Sequence, residues 1–328
     1  MPKTSPASVD LLKDHGIVQI SLPTHWPVGP VNVFLVKRDP PILIDTGLHT
    51  DESYEILTEG FAEHGITIND LGAIIVTHGH RDHMGLLGQL LRESNADSYG
   101  HPQVRTLGHD TDKHPKERKE FFLGILGEFG VPAETKEEAN SLYERFRAFS
   151  EPFELSHVLE DGDQALGYTA YHVPGHSPSD TLLVDHEAGL SFVGDHILAS
   201  TNPNPLLQRP ESGQERPKAL VQYQASLARS RELDLGICLP GHGTPFDDHV
   251  AVIDRILSRQ GRREMLVKKL LKEGRRTPYQ ISRKLFPDLP IQNIHLGLSI
   301  AVGHLEVMEE AGEVKRFYTE GVLHFEPR

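Results

Sequence analysis

The chain has 328 residues, 38% hydrophobic and 24% charged, the make-up of a globular protein with one large domain and a small appendage. No apolar run of about 18 residues occurs, which excludes a membrane-spanning helix, and a lone cysteine, Cys238, excludes an intramolecular disulfide and makes the cytoplasm the expected compartment. The net charge of −14 is uneven: Arg255–Arg328 holds 14 basic and 9 acidic residues (+5), so the remainder carries −19, which discourages contact with nucleic acid or anionic membrane.

The opening MPKTSPASVD has no apolar core of a signal peptide. Residues 17–45 predict strands, in IVQISL, VNVFLV and PILIDTG. Residues 51–64 predict a helix, with Tyr54, Leu57 and Phe61 at helical spacing. LGAIIVTH predicts a buried strand that stops at a His- and Gly-rich turn, and MGLLGQLLRES the helix after it. Residues of about 110–150 form a charged helical insertion with an apolar cluster, FFLGILGEFG. Strands return in YTAYHVPG and TLLVDHEAGLSFVGD, the latter a hairpin. A Pro-rich loop TNPNPLLQRP, a helix over Arg216–Ser230, a strand in LDLGICLPGHG and a long helix from Asp247 follow. Strands and helix, then strands and helix again, predict two halves packed sheet on sheet with helices outside.

The last 75 or so residues read as a separate unit, so the expected domains are 1–250 and 251–328. A basic helix covers about 250–274. TPYQISRKLF is a short helix with Thr277 as N-cap and Pro278 at its first position. IQNIHLGLSIAVGHLEVMEEAG is an apolar helix ending at Gly312, and VKRFYTEGVLHFEP is a hairpin. Three helices and a hairpin are the order of a winged-helix unit.

The chemistry lies in the histidines. T-H-G-H-R-D-H places His78, His80, Asp82 and His83 in one turn after a strand. His176 in H-V-P-G-H, Asp195 in F-V-G-D-H and His242 in L-P-G-H-G each follow an apolar strand and a glycine. A pair of ions needs about three protein ligands each and a bridging carboxylate. The set matches: His78, His80 and His176 for one ion, Asp82, His83 and His242 for the other, Asp195 between. Imidazole and carboxylate without thiolate suit two divalent ions, zinc first and iron or manganese as alternatives. His101, His109, His114, His157, His172 and His186 read as solvent-facing or core histidines.

This pattern, H-x-H-x-D-H followed by a distant His, Asp and His, resembles the metallo-β-lactamase superfamily over residues of about 17–250. The resemblance implies an α/β (α+β) fold, the αββα sandwich, with its site at one edge. It implies that Asp45 in I-D-T-G supports a metal ligand from behind. Within the superfamily the chain resembles the glyoxalase II-like and β-lactamase-like protein 2 groups, the second of which carries a C-terminal winged-helix-like domain.

The expected activity is hydrolysis of a small-molecule carbonyl substrate (a thioester, ester or lactone) by a metal-bridging hydroxide. Asp82 binds metal and is a candidate to orient the nucleophile or accept its proton, and His196, next to Asp195, is a candidate proton donor to the leaving group. Phe121, Phe122, Ile125 and Phe129 in the insertion are a candidate apolar surface for an acyl chain. The alternative is a nuclease or phosphodiesterase that binds RNA or single strands through Arg259, Arg262, Arg263, Lys268, Lys269, Lys272, Arg275 and Arg276. Flavodiiron relatives carry Glu where this chain has His80, which argues against a redox role. A homodimer is compatible with the sequence, and no membrane partner is expected.

Overall fold

The structure is a computed structural model that describes residues 12–24, 26–104, 115–146, 149–210 and 214–328, with backbone alone for 115–118 and 140–146. Alternation along its strands sorts the side chains into two cores. The first sheet runs β1 (Ile17–Leu22), β2 (Val31–Val36), β3 (Ile42–Ile44), β4 (Ala73–Ile75), β5 (Asp97–Gly100) and β6 (His157–Val158), in that spatial order. Its first three strands are antiparallel and the rest parallel. Val33, Leu35, Leu43 and Ile74 face one side, where Leu57, Phe61, Leu87 and Leu90 of the helices Asp51–Ala62 and Leu87–Glu93 cover them. Thr50 caps the first of these helices by accepting the Ser53 N–H at 3.1 Å.

Phe34, Val36, Ile42, Ile44 and Ile75 face the other side. There they meet Tyr168, Ala170, Leu183, Leu190, Phe192 and Leu239 of the second sheet. That sheet comprises β7 (Gln164–Ala165), β8 (Tyr168–His172), β9 (Thr181–Asp185), β10 (Leu190–Gly194) and β11 (Ile237–Pro240), ordered β11-β10-β9-β8-β7. The rings of Phe34 and Phe192 pack at 5.2 Å between centroids across the two sheets. Removing the fully buried Phe192 ring costs about 3–5 kcal/mol, enough to threaten the sandwich. On the outer side of the second sheet, Ser191 Oγ donates to the Leu235 carbonyl at 2.6 Å, and Arg229 donates to Asp161 and to the His172 carbonyl.

The sandwich places five strand ends together. Asp45 follows β3, His78 follows β4, His176 follows β8, Asp195 follows β10 and His242 follows β11. Among the described residues no helix is long and apolar enough to cross a membrane.

The chain divides into two compact units, Met1–Lys113 with Ala148–Pro203 and Arg229–Val252, and His114–Arg147 with Asn204–Ala228 and Ile253–Arg328. The expected division is 1–250 and 251–328; in these units the insertion and residues 204–228 group with the C-terminal residues. The reason is a shared apolar core. Ile125, Leu126 and Phe129 are buried with Val267, Leu271, Ile281, Leu298, Leu305 and Phe325. The second unit contains the helices Pro115–Glu128, Ala133–Phe146, Pro278–Leu285 and Ile294–Glu310, followed by the hairpin β12 (Val314–Thr319) and β13 (Val322–Pro327). Thr277 caps Pro278–Leu285 with a reciprocal bond to Gln280, as its sequence predicts.

Candidate metal centre

The turn after β4 separates its ligands by changing conformation within six residues. His78 lies in the bend that follows the strand, and His80, in extended backbone, is the N-cap of a short helix, Arg81–Met84. Asp82 and His83 sit on that helical turn, and the His83 ring packs 4.0 Å from the His78 ring between centroids. The seven residues converge as ligand groups: His78, His80 and His176 in one, Asp82, His83 and His242 in another, with Asp195 grouped with His78 and His83. His78 Nε2 lies 3.0 Å from His80 Nδ1, and His242 Nε2 lies 3.2 Å from Asp82 Oδ2. Asp195 reaches both groups, since its Oδ2 is 3.5 Å from His176 Nε2 and 3.5 Å from His242 Nε2, while Oδ1 is 3.5 Å from His83 Nε2.

These separations suit a cation. Ligands about 2.1 Å from a tetrahedral ion stand about 3.4 Å apart. His83 Nε2, His242 Nε2 and Asp195 Oδ1 are buried without a hydrogen-bond partner. Leaving such atoms unsatisfied costs about 1–3 kcal/mol each, and an ion at their centre removes that cost. The donor set and its geometry therefore fit divalent metal.

The opposite edge of each ring is held. His83 Nδ1 lies 2.7 Å from Asp45 Oδ2, and His242 Nδ1 lies 2.8 Å from the Pro30 carbonyl. Both partners only accept, so each Nδ1 carries a proton and each Nε2 faces the centre. Asp45 also accepts from the Thr77 N–H and hydroxyl, each at 2.8 Å. Asp45 has φ +59, a left-handed conformation that Asp tolerates better than most residues.

The family model described as Metallo-beta-lactamase superfamily matches residues 26–242, a span that contains every one of these ligands. The chain belongs to the metallo-beta-lactamase superfamily. It is 33% identical over 312 residues to the "Probable metallo-hydrolase YqjP" of Bacillus subtilis (strain 168), covering 94% of this chain and 97% of that one. It is 25% identical over 255 residues to a "Beta-lactamase-like protein 2 homolog" of Caenorhabditis elegans (76% and 68% covered). It is 22% identical over 232 residues to an "Atrochrysone carboxyl ACP thioesterase" of Aspergillus fumigatus (71% and 42% covered). The fold matches a metallo-beta-lactamase family protein from Thermus thermophilus with a TM-score of 0.82 at 24% identity, covering 95% and 99% of the two chains. As a member of the superfamily, this chain is a metallo-hydrolase.

Electrostatics in the superfamily site follow from burial and proximity. Burial presses His78 well below the ordinary imidazole value and His80 down to about 4. Burial works the same way on His83, but the carboxylates of Asp45, Asp82 and Asp195 overcome it and push His83 up to about 10. Burial would raise Asp82, yet the neighbouring His83 and His242 rings hold it below the carboxylate range. Burial raises Asp195, and it pushes Asp180 up to about 8 against hydrogen bonds from Ser177.

Two expectations are corrected. His196 turns away from the ligands, with Nε2 2.9 Å from Ser230 Oγ, and burial drives its pKa down to about 3. A neutral imidazole in that setting has no proton to give a leaving group. Ile125 and Phe129 are 7% and 1% exposed in the core of the second unit, and Phe121 and Phe122 pack at its margin. These four side chains anchor the insertion, so the acyl-surface reading of them is withdrawn. His101 stacks on His172 at 3.9 Å, His157 on Tyr99 at 4.6 Å, and His186 lies 3.3 Å from the Tyr171 hydroxyl, all outside the ligand groups. His109 and His114 lie outside the described residues.

Sequence reading missed several supports. Asn32, 2% exposed within β2, donates to the Pro240 and Gly243 carbonyls at 3.0 and 2.9 Å and so fixes the loop bearing His242. A polar amide inside the apolar run VNVFLV was the available signal. Gly241 leaves no room for a side chain, because a Cβ there would stand 2.5 Å from Asp195 Oδ1 and 2.5 Å from His83 Cε1.

Proposed function

We propose that the chain is a dinuclear hydrolase that cleaves a thioester, ester or lactone carbonyl, with zinc as the first expectation for its two ions. The observation that carries this reading is the position of Asp195 Oδ2, 3.5 Å from a histidine of each outer ligand group. A carboxylate shared between two triads is what a pair of ions requires. His78, His80 and His176 would hold one ion and Asp82, His83 and His242 the other. Ions bound there supply Lewis acidity and a nucleophile drawn from water at neutral pH.

The chain's own groups do the rest. Asp45 and the Pro30 carbonyl keep protons on His83 Nδ1 and His242 Nδ1, so each Nε2 stays available to a cation. Asp82, held ionised, is a weak base and a good acceptor, which suits orienting the nucleophile better than deprotonating it.

Carbonyl cleavage is favoured over phosphodiester cleavage by charge. The chain outside Arg255–Arg328 carries −19, which repels polyanions. Several cations of the basic C-terminal run are already engaged. Lys268 pairs with Glu264 at 3.0 Å and with Glu313 at 2.8 Å, Arg276 pairs with Glu273 at 3.2 Å, and Arg263 lies over the Phe286 ring at 5.7 Å. We read the C-terminal helices and hairpin as winged-helix-like. The helix Ile294–Glu310, which a winged helix would use to read a groove, has 11 of its 17 residues buried, so its face serves packing.

A parallel assay on one metal-loaded sample tests the proposal. It compares acyl-glutathione and acyl-CoA thioesters, a lactone, a p-nitrophenyl ester, a bis-aryl phosphodiester and single-stranded RNA. The expected result is a higher kcat/KM on a carbonyl substrate, abolished in Asp195→Ala. Highest efficiency on RNA or the phosphodiester, lost in the same variant, would replace this reading with the nuclease.

A further inference from the structure

His78, His80 and His176 stand on two loops about a hundred residues apart in sequence. Something must hold those loops in register, because a ligand set loose by an ångström binds metal poorly. The residue between His78 and His80 is Gly79, and its N–H donates to Ser179 Oγ at 2.9 Å. Ser179 Oγ lies 3.1 Å from Ser177 Oγ, and the Ser179 N–H donates to the same Ser177 oxygen at 3.1 Å. The Ser177 N–H donates to Asp180 Oδ2 at 2.8 Å, and the Ser177 hydroxyl also bonds the Asp180 carboxyl.

The donor order is set by what each atom has left. Ser179 Oγ accepts from Gly79, so its hydroxyl hydrogen is available to Ser177 Oγ. Ser177 Oγ accepts from Ser179, so its own hydrogen is available to Asp180. The hydrogen bonds therefore all run one way, from the ligand turn to a carboxyl, an arrangement in which each bond polarises the next. All three side chains are buried, with Ser177 1%, Ser179 0% and Asp180 2% exposed, so water does not compete.

We propose that Ser177, Ser179 and Asp180 form a strut that sets the spacing between the His78–His80 turn and His176, and so tunes one metal position selectively. They are positioning residues that touch neither ion. The other triad is supported differently, by Asp45 behind His83 and by the Pro30 carbonyl behind His242. The inference rests on the two-ion reading above.

The test is stepwise chelator competition on the full-length protein loaded with zinc or cobalt, with visible spectra of the cobalt form. Ser179→Ala leaves the buried Gly79 N–H without an acceptor. It is expected to weaken one of two ions by about 10- to 100-fold, the range for loss of an outer support, while the other is unchanged. The cobalt bands of the weakened position should shift, and Ser179→Thr, which keeps the hydroxyl, should restore both readouts. Ser177→Ala keeps the Gly79 acceptor and the backbone bond to Asp180 but removes the hydroxyl that joins Ser179 to Asp180, and should weaken the same ion less than Ser179→Ala does, by about fivefold. Wild type that holds two ions, with both retained at wild-type affinity in Ser179→Ala, overturns the strut. So does equal weakening of both ions alongside a matching fall in the melting temperature of the metal-free variant, which marks a merely structural role. Wild type that holds a single ion instead overturns the two-ion reading itself.

Discussion

Asp45→Asn isolates the support behind His83. The substitution changes one atom in shape and leaves the backbone untroubled, because Asn also tolerates the φ of +59 found at this position. An amide oxygen in the place of Oδ1 can still accept from the Thr77 N–H, 2.8 Å away, and from the Thr77 hydroxyl, 3.1 Å away. The amide nitrogen is then left 2.7 Å from His83 Nδ1. Two donors face each other there unless His83 moves its proton to Nε2, the atom meant for metal. Either outcome forfeits a buried charge-assisted bond of about 1.5–3 kcal/mol. Outer-support losses of about 10- to 100-fold in metal affinity correspond to about 1.4–2.8 kcal/mol, the same range. Chelator competition should therefore find the ion shared by Asp82, His83 and His242 weakened by that factor, and the one at His78, His80 and His176 much less. Wild-type affinity at both positions in Asp45→Asn would refute the argument that the carboxylate fixes the His83 tautomer.

The charge on His83 gives opposite pH slopes with and without metal. Its folded pKa of about 10 lies above the unfolded value of about 6.5, so in metal-free protein its contribution is complete below about pH 6.5 and is lost as pH rises through 10. The metal-free melting temperature should fall across that window while metal affinity rises, because binding at His83 Nε2 displaces a proton, and calorimetry in two buffers should detect its release. Gly241→Ala forces a Cβ to within 2.5 Å of Asp195 Oδ1 and His83 Cε1, and should lower metal content on elemental analysis while the apolar cores stay intact. Cys238 is fully buried, with its thiol pushed up to about 12 by burial, so thiol reagents should label it only after unfolding. Deleting residues 275–328 strips Ile281, Leu298, Leu305 and Phe325 from the core that buries Phe129 and Leu126, and the truncate should aggregate in light scattering.

The seven candidate ligands were legible in the sequence because their chemistry is local. Each follows a strand, and a strand end fixes where a side chain begins even before its partners are known. The supports were less legible because they act across the fold. Asn32 reaches a carbonyl 208 residues away, and Ser179 accepts from a glycine 100 residues away. Spacing along the chain carries no trace of either bond. Asn32 still left a mark, as a lone amide in an apolar strand, whereas Ser179 in H-S-P-S-D reads like any loop serine.

The insertion shows how an apolar stripe conceals its partner. FFLGILGEFG states that one face of a helix must be covered, and the same residues would serve an acyl chain or a neighbouring helix equally well. What decides is the supply of apolar surface elsewhere. The helix Ile294–Glu310 buries 11 residues, more than the Pro278–Leu285 helix and the hairpin beside it offer alone. Leu126 at 0% and Phe129 at 1% exposure complete that core together with Val267 and Leu271 of the long basic helix. A helix apolar around most of its circumference demands covering on several sides. The excess in IHLGLSIAVGHL was thus the sequence's own sign that another segment, distant in the chain, would be drawn against it.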